Sequence, residues 1–520
     1  MSVTNTFTDN LGEETIKTID SFLSNHDKSC HYIMAIAPTG KGKSYFVKHS
    51  LYNYCREHGY KILYLLPRTV VQDEFIEELA QEGKDDLIKV YTYQQFEDFE
   101  SFPAFSQFNI VICDECHYSI SDSTFNVNTY RSYNRILDNT AHAAVMYITA
   151  TNNPIQAVLT DDLTERGKVL KVGSMEKTFE AVKDVRFLTV DSQKLKEKNV
   201  KAILDRIDET EDESRKDIFD VLPNGEKAIV FCDKKEFALQ LHRQFKDNSI
   251  FICSKHDKKY FRYVDMDAYK KMLHEHKFDC KYVFCTSALD VGFSIKDAQL
   301  KHIICLLWDW NSIVQAIGRK RMIDGLEDDT ITVYLRNYSN STIGKFISDQ
   351  KKKFEHMNYL QANGAEAYMK KYEKVIDPAR IVYYRHIGEG KCEPAIDRFV
   401  YENNLALNLL LYQVSTIDDT KMKYKNWVRK QFGMPPLKER TVYGITRDLK
   451  AWFEEGRIFV GKEGRDEIAH TINCKNDDNR LYTGVTKLNG YLEKLEIPYR
   501  IEKLKERVDG KIAYKIVESI

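Results

Sequence analysis

The sequence predicts an α/β protein: two parallel-sheet domains in tandem, then a helical region, then a small α+β domain. Three observations predict it. Short apolar runs alternate with amphipathic stretches between residues 32 and 148, the alternation restarts near residue 183, and a strong hairpin signal sits at Asp509-Gly510. The resulting divisions are 1–180, 181–345, 346–420 and 421–520. A chain of 520 residues exceeds a single core and fits about two to four domains.

The first apolar run, 32–36, ends in Ala37-Pro38-Thr39-Gly40-Lys41-Gly42-Lys43-Ser44, and a helix is expected from Tyr45 onward. A buried strand, a tight glycine turn and a helix start make a nest of backbone N–H groups for a polyphosphate. Thr39, Gly40, Lys41 and Gly42 form the turn, Lys43 supplies a point charge and Ser44 a Mg2+ ligand. Ala37 stands where the first glycine of such loops usually does.

Runs at 61–66, 87–91, 108–113 and 144–148 are short and almost continuously apolar, as strands covered on both faces are. Chemistry in such sheets collects at the carboxyl ends of the strands. The run 108–113 ends in Asp114-Glu115-Cys116-His117. Asp114 can hold the Mg2+ of a bound nucleotide there, and Glu115 can orient and deprotonate an attacking water. Beside a phosphate loop, that pair points to NTP hydrolysis. Residues 113–117 also spell the C-x-x-C-H of haem attachment. That reading is set aside, because the segment ends a buried strand and no export signal precedes it.

These residues resemble a superfamily 2 helicase of the DExH type, with features of its restriction-enzyme-like and viral branches. Thr149-Ala150-Thr151 is similar to the S/T-A-T motif, 66–69 to the segment that touches a nucleic-acid backbone through Arg68, and 91–94, with Thr92, to the T-Y-Q segment. The resemblance implies two RecA-like lobes that close on ATP and Mg2+. It assigns His117, Thr149, Thr151 and Thr286 to coupling. No adenine-reading Phe-x-x-Gln pattern precedes Tyr32, which implies loose base selectivity.

The second lobe is expected from runs at 185–190, 228–232, 250–253, 282–285, 302–307 and 331–335, with no second phosphate loop and with the acid-rich 209–213 as an exposed loop. Residues 229–235 resemble the start of that lobe in viral members. Residues 286–294 resemble T-x-x-x-D-x-G, so Asp290 would meet the nucleotide sugar and Gly292 would allow close backbone approach. Gln315-Ala316-Ile317-Gly318-Arg319-Lys320-Arg321 resembles Q-R-x-G-R-x-G-R, whose arginines reach across the cleft. Ala316 replaces the first arginine and Arg321 comes one residue early, so which of Arg319 and Arg321 is the finger stays open. Both are expected at the γ-phosphate, with Gln315 helping to place the water.

Residues 345–420 read as mainly helical, with 399–414 the most apolar part and expected to be buried between domains. Residues 421–430 interleave aromatics with cations, as single-strand binders do, although aromatics at that spacing are more often core. Leu481, Val485, Leu488, Leu492 and Leu495 share one helix stripe after capping candidates at 476–479. Helix followed by hairpin suggests a winged helix. Lys503, Lys505 and Arg507 share one strand face, and the register leaves open whether that face is buried.

Composition excludes little. Net charge is −1 and pI about 6.9, yet 421–520 carries 22 Lys and Arg against 15 Asp and Glu, a plausible nucleic-acid contact or a solvated basic surface. No stretch reaches 18 apolar residues and the first ten residues are polar, so no membrane association and a cytoplasmic location are expected. The eleven cysteines, odd in number and several in strand-like runs, read as reduced. The expectation is an ATP-dependent helicase or translocase using Mg2+, with nucleic acid as partner and DNA favoured over RNA. An RNA helicase, a nucleic-acid-stimulated switch without unwinding, and a small-molecule P-loop enzyme are the alternatives. Protein partners cannot be read from the sequence.

Overall fold

The structure is a computed structural model. It describes residues 11–519 except 25–29, 37–41, 98–104, 125, 127, 140–142, 151–154, 165–167, 173–178, 180, 191–200, 206–215, 255–256, 287–293, 324, 327, 374, 389–390, 419, 421, 438–442 and 475–480. Two compact units emerge: one comprises 1–205 and 216–417, the other 206–215 and 418–520.

In the first unit, β1 (Cys30–Ile36), β2 (Ile62–Leu66), β3 (Ile88–Thr92), β4 (Ile110–Cys113), β5 (Ala144–Thr149) and β6 (Lys168–Val172) form one sheet in the order β3-β2-β4-β5-β1-β6. Every pairing is parallel. Successive side chains of a strand face opposite ways, and the core divides accordingly. Ile33, Ala35, Tyr64, Ile112 and Met146 pack on one face, and Met34, Leu65, Val111, Val145 and Tyr147 on the other. Strand β5 lies between β1 and β4, so the ends of the phosphate-loop strand and of the Asp114 strand flank Thr149. Strand β6 was not expected.

A second sheet runs β10 (Ser249–Ile252), β11 (Tyr282–Thr286), β9 (Lys227–Cys232), β12 (Leu300–Leu306), β13 (Ile331–Arg336), β7 (Val182–Val190), β8 (Ala202–Leu204). It is parallel except at the short, unanticipated β8. Between β12 and β13, Lys320 is buried: its Nζ donates to Asp329 Oδ1 (2.5 Å) and the Asp297 carbonyl (3.0 Å), and Asp329 Oδ2 accepts the Ile323 N–H (2.8 Å). The lobes are thus two RecA-like sheets, the first bearing the phosphate loop.

The region after β13 departs from its helical expectation. Helices Asn340–Lys353, Glu355–Tyr372 and Arg398–Thr416 form, with Gly364 (φ 78°) breaking the second, but β14 (Val382–Gly388) and β15 (Lys391–Ile396) intervene as a hairpin. The aromatic and branched residues of 381–387 prefer extended backbone, and Gly388 (φ 97°) permits the turn. Helix Arg398–Thr416 is capped by Asp397, whose carboxylate accepts the Phe399 and Val400 N–H groups. It buries Phe399 against Tyr133 of the first lobe and pairs Arg398 with Asp162 at 2.6 Å. Burial of 399–414 is one-sided, because Leu409 and Tyr412 are exposed.

In the second unit, Tyr424 and Trp427 of the helix Lys423–Gln431 are buried, so they are not stacking platforms for bases. Helix Tyr443–Glu454, β16 (Ile458–Val460), helices Gly461–Ile472 and Val485–Lys494, β17 (Tyr499–Lys503) and β18 (Ala513–Glu518) follow, with sheet order β16-β18-β17. That is the order of elements in a winged helix. The expected stripe is corrected at its start: the helix begins at Val485 with Gly484 as N-cap, leaving Leu481 outside it, while 476–479 lie outside the described residues. Asp509 and Gly510 both have positive φ and close the hairpin. Lys503 stands opposite Tyr514 and is exposed; Lys505 and Arg507 lie beyond β17. No helix among the described residues is long and apolar enough to cross a membrane.

Two stability predictions follow from this packing. Lys320→Met leaves the Asp329 carboxylate, 0% exposed, without its cation. It should cost about 3–5 kcal/mol in urea unfolding read from Trp308 and Trp310. A Cβ on Gly464 would come within 2.7 Å of the Phe459 backbone. Gly464→Ala should therefore lower the stability of the second unit by about 1–3 kcal/mol, read from the Trp452 fluorescence melt.

Candidate active site

Three parallel strands deliver the first half of the site, because β1, β5 and β4 end side by side. Beyond β1, residues 37–41, with Thr39, Gly40 and Lys41, lie outside the described residues. Gly42 (φ 80°) caps the helix that starts at Lys43, and its carbonyl accepts the Phe46 N–H at 2.8 Å. Lys43 is only 9% exposed, whereas Ser44 is exposed. Burial pulls the Lys43 ammonium down to about 8, against the opposing pull of Glu115 and Asp114; Arg321 and Arg319 add to the lowering.

Strand β4 ends in Asp114. Its Oδ2 accepts from the Tyr64 hydroxyl (2.7 Å), its Oδ1 from the Glu115 N–H (3.0 Å), and its carbonyl from the Tyr93 hydroxyl (2.9 Å). Burial and the neighbouring Glu115 charge push Asp114 upward. Glu115 sits at φ 47°, a left-handed conformation that costs a non-glycine residue of order 1–3 kcal/mol. Burial also pushes Glu115 up, but His117, Lys43 and Arg319 outweigh it and hold this carboxylate below its ordinary range.

His117 joins the lobes. Its Nδ1 lies 3.1 Å from Thr149 Oγ1 and 3.2 Å from Glu115 Oε2, and its Nε2 is 2.8 Å from Gln315 Nε2. With the Gln315 amide donating, the ring proton belongs on Nδ1, facing Glu115 and Thr149. Burial lowers His117, but its hydrogen bond with Glu115 and the Glu115 charge leave it above its ordinary value. The Gln315 amide nitrogen is thereby engaged by His117.

From the second lobe, helix Trp310–Ile317 carries Gln315 and leads into Gly318. Gly318 and Arg319 form a turn at the end of the helix, and Lys320 then pairs with Ile295 in a parallel bridge. Lys320 turns into the lobe, as described above. Arg319 and Arg321 lie near Lys43. Arg319 is 4% exposed and its Nε donates to the Gln315 carbonyl (3.0 Å). Arg321 Nε donates to Ser294 Oγ (3.0 Å), and burial pulls its guanidinium down to about 10, the Arg319 charge adding to this and Glu115 opposing it. A solvated basic run is excluded by this burial.

Other expected residues fare differently. Thr92 is 1% exposed and its hydroxyl accepts the Gln95 N–H (3.1 Å) while Gln95 Oε1 accepts the Thr92 N–H (2.8 Å). This is a capping box, and it gives the buried Thr92 hydroxyl a local structural partner. Arg68 pairs with Asp122 at 2.7 Å and 3.4 Å. Thr286 ends β11, half-buried. Thr151, Asp290 and Gly292 lie outside the described residues. Tyr64, Tyr93, Ser294 and Asp122 were missed. Tyr64 alone left a signal, a hydroxyl in the otherwise apolar Ile-Leu-Tyr-Leu-Leu strand.

Comparison with known families places these elements. Residues 10–154 match the model of the type III restriction enzyme res subunit, and 213–321 match the helicase conserved C-terminal domain. No curated protein matches significantly. Among solved structures, S. cerevisiae Dbp5 bound to RNA and ADP BeF3 is 13% identical over 65% of this chain and 86% of that one, at a TM-score of 0.44. Mss116p bound to ssRNA and AMP-PNP is 12% identical over 72% and 88%, at 0.42. The two family models fall in order on the phosphate-loop lobe and the arginine-bearing lobe; they support a superfamily 2 helicase, and the chain is an NTP hydrolase of the helicase type.

Proposed function

We propose that the chain hydrolyses ATP between its two lobes to move along single-stranded DNA, as a DExH-type member of its superfamily. The observation that supports this is the charge arrangement: Lys43, Arg319 and Arg321 converge on Asp114 and Glu115, and the cations lower one another's pKa. Like charges gathered out of water are relieved by a polyanion. A triphosphate is one.

The roles then divide. Lys43 and the 39–44 loop hold the phosphates. Glu115, held ionised, accepts the proton of the attacking water. Arg319 and Arg321 offset charge on the transferring phosphoryl group. Through Gln315, His117 and Thr149, the second lobe is linked to the end of β5 and to the base itself. Ser44 and Asp114 are hard oxygen donors, and the buried carboxylate pair carries negative charge that a divalent ion would offset, so the residues fit Mg2+. Bound there, Mg2+ would neutralise developing phosphate charge. DNA is preferred because the first lobe matches a restriction-enzyme subunit model and because the second unit has the winged-helix order of elements.

Glu115→Gln should abolish turnover while ATP binding persists, and Lys43→Ala should abolish both, measured by steady-state hydrolysis and by nucleotide titration. Arg319→Ala and Arg321→Ala should each lower stimulated turnover, by up to about 10³-fold. Hydrolysis titrated with single- and double-stranded DNA and RNA at fixed salt tests the substrate. Stimulation by RNA alone overturns the DNA assignment. Indifference to all four polymers overturns the motor reading in favour of a small-molecule enzyme, and stimulation without duplex separation favours a switch.

A further inference from the structure

Asp114 is held from a direction that none of the recognised motifs announces. Tyr64 sits in the middle of β2, next to β4, 1% exposed, with its ring stacked on Phe75 at 4.5 Å. The rest of β2, Ile62, Leu63, Leu65 and Leu66, is apolar and 0% exposed. A hydroxyl buried in such a strand lowers stability unless it is satisfied. This one is satisfied by the functional carboxylate: Tyr64 O–H donates to Asp114 Oδ2 at 2.7 Å.

The proton count fixes the direction of that contact. A tyrosine hydroxyl has one proton and two lone pairs, and a carboxylate can only accept. The Tyr64 proton is therefore committed to Asp114. The second Asp114 oxygen accepts the Glu115 N–H at 3.0 Å, so both ends of the carboxylate are fixed.

We propose that Tyr64 is a positioning residue that preorients Asp114 as an oxygen ligand for the metal of a metal–nucleotide complex. This rests on the nucleotide reading given above. Tyr64 acts through Asp114, and it ties the middle of β2 to the end of β4 through a rigid ring.

Tyr64→Phe keeps the ring, its burial and the Phe75 stack, and removes only the hydroxyl. In the full-length protein, a fluorescent ATP analogue is titrated with and without Mg2+, and hydrolysis is followed against Mg2+ concentration. The Mg2+-free affinity should stay unchanged. The gain in affinity that Mg2+ brings should fall roughly tenfold and half-saturating Mg2+ should rise by a similar factor, with kcat recovered at high Mg2+. Unchanged Mg2+ dependence in Tyr64→Phe overturns the proposal, as does an equal loss of affinity with and without Mg2+, which marks a packing residue. Phe75→Leu loosens the ring and spares the hydroxyl. It should lower the melting temperature and leave half-saturating Mg2+ in place; a shift as large as that of Tyr64→Phe would assign the effect to ring packing and overturn the proposal. If the unmodified protein shows no Mg2+-dependent binding, the nucleotide reading fails and the proposal falls with it. Binding that Tyr64→Phe does not alter sinks the proposal alone.

Discussion

A lysine sealed from water keeps its charge only if something negative faces it, and the first lobe is organised around meeting that condition for Lys43. Desolvation alone would neutralise a buried ammonium. Asp114 and Glu115 prevent this, and they can do so because the sheet order brings the ends of β1 and β4 to either side of β5. The dependence is mutual. Two adjacent carboxylates out of water would not both ionise, and it is His117, Lys43 and Arg319 that keep Glu115 charged. Remove any member and the protonation state of the others changes.

The second lobe enters this balance through one short segment at the end of a helix. The bridge between Lys320 and Ile295 and the buried pair of Lys320 with Asp329 hold that segment in place. A basic tripeptide thus contributes two cations to the cleft and one to its own anchorage. The His117–Gln315 hydrogen bond reports the same juxtaposition from the other side.

Much of this was legible in the sequence because the signals are local. Apart from β6 and β8, the strands of the two lobes announce themselves by runs of Val, Ile, Leu and Tyr, and Lys43, Asp114, Glu115, Arg319 and Arg321 stand at or near the strand or helix ends that follow from those runs. What escaped depends on residues distant in the chain. Tyr64 matters only because β2 pairs with β4, Asp122 only because it reaches Arg68, and Ser294 only because its loop returns to Arg321. Thr92 has a local partner as well as its motif resemblance: its hydroxyl closes a capping box with Gln95. The hairpin of β14 and β15 was lost because extended runs of seven and six residues between helices give too short a pattern to outweigh their surroundings.

The helix Arg398–Thr416 comes after the second lobe in the chain, yet it places Phe399 in the core of the first. Through Asn404 it also holds Gln350 of the helix that leaves β13, at 2.9 Å. The end of the second lobe is therefore fastened back to the first by this returning helix. Any shift of one lobe against the other must carry the helix along or break its Phe399–Tyr133 and Arg398–Asp162 contacts.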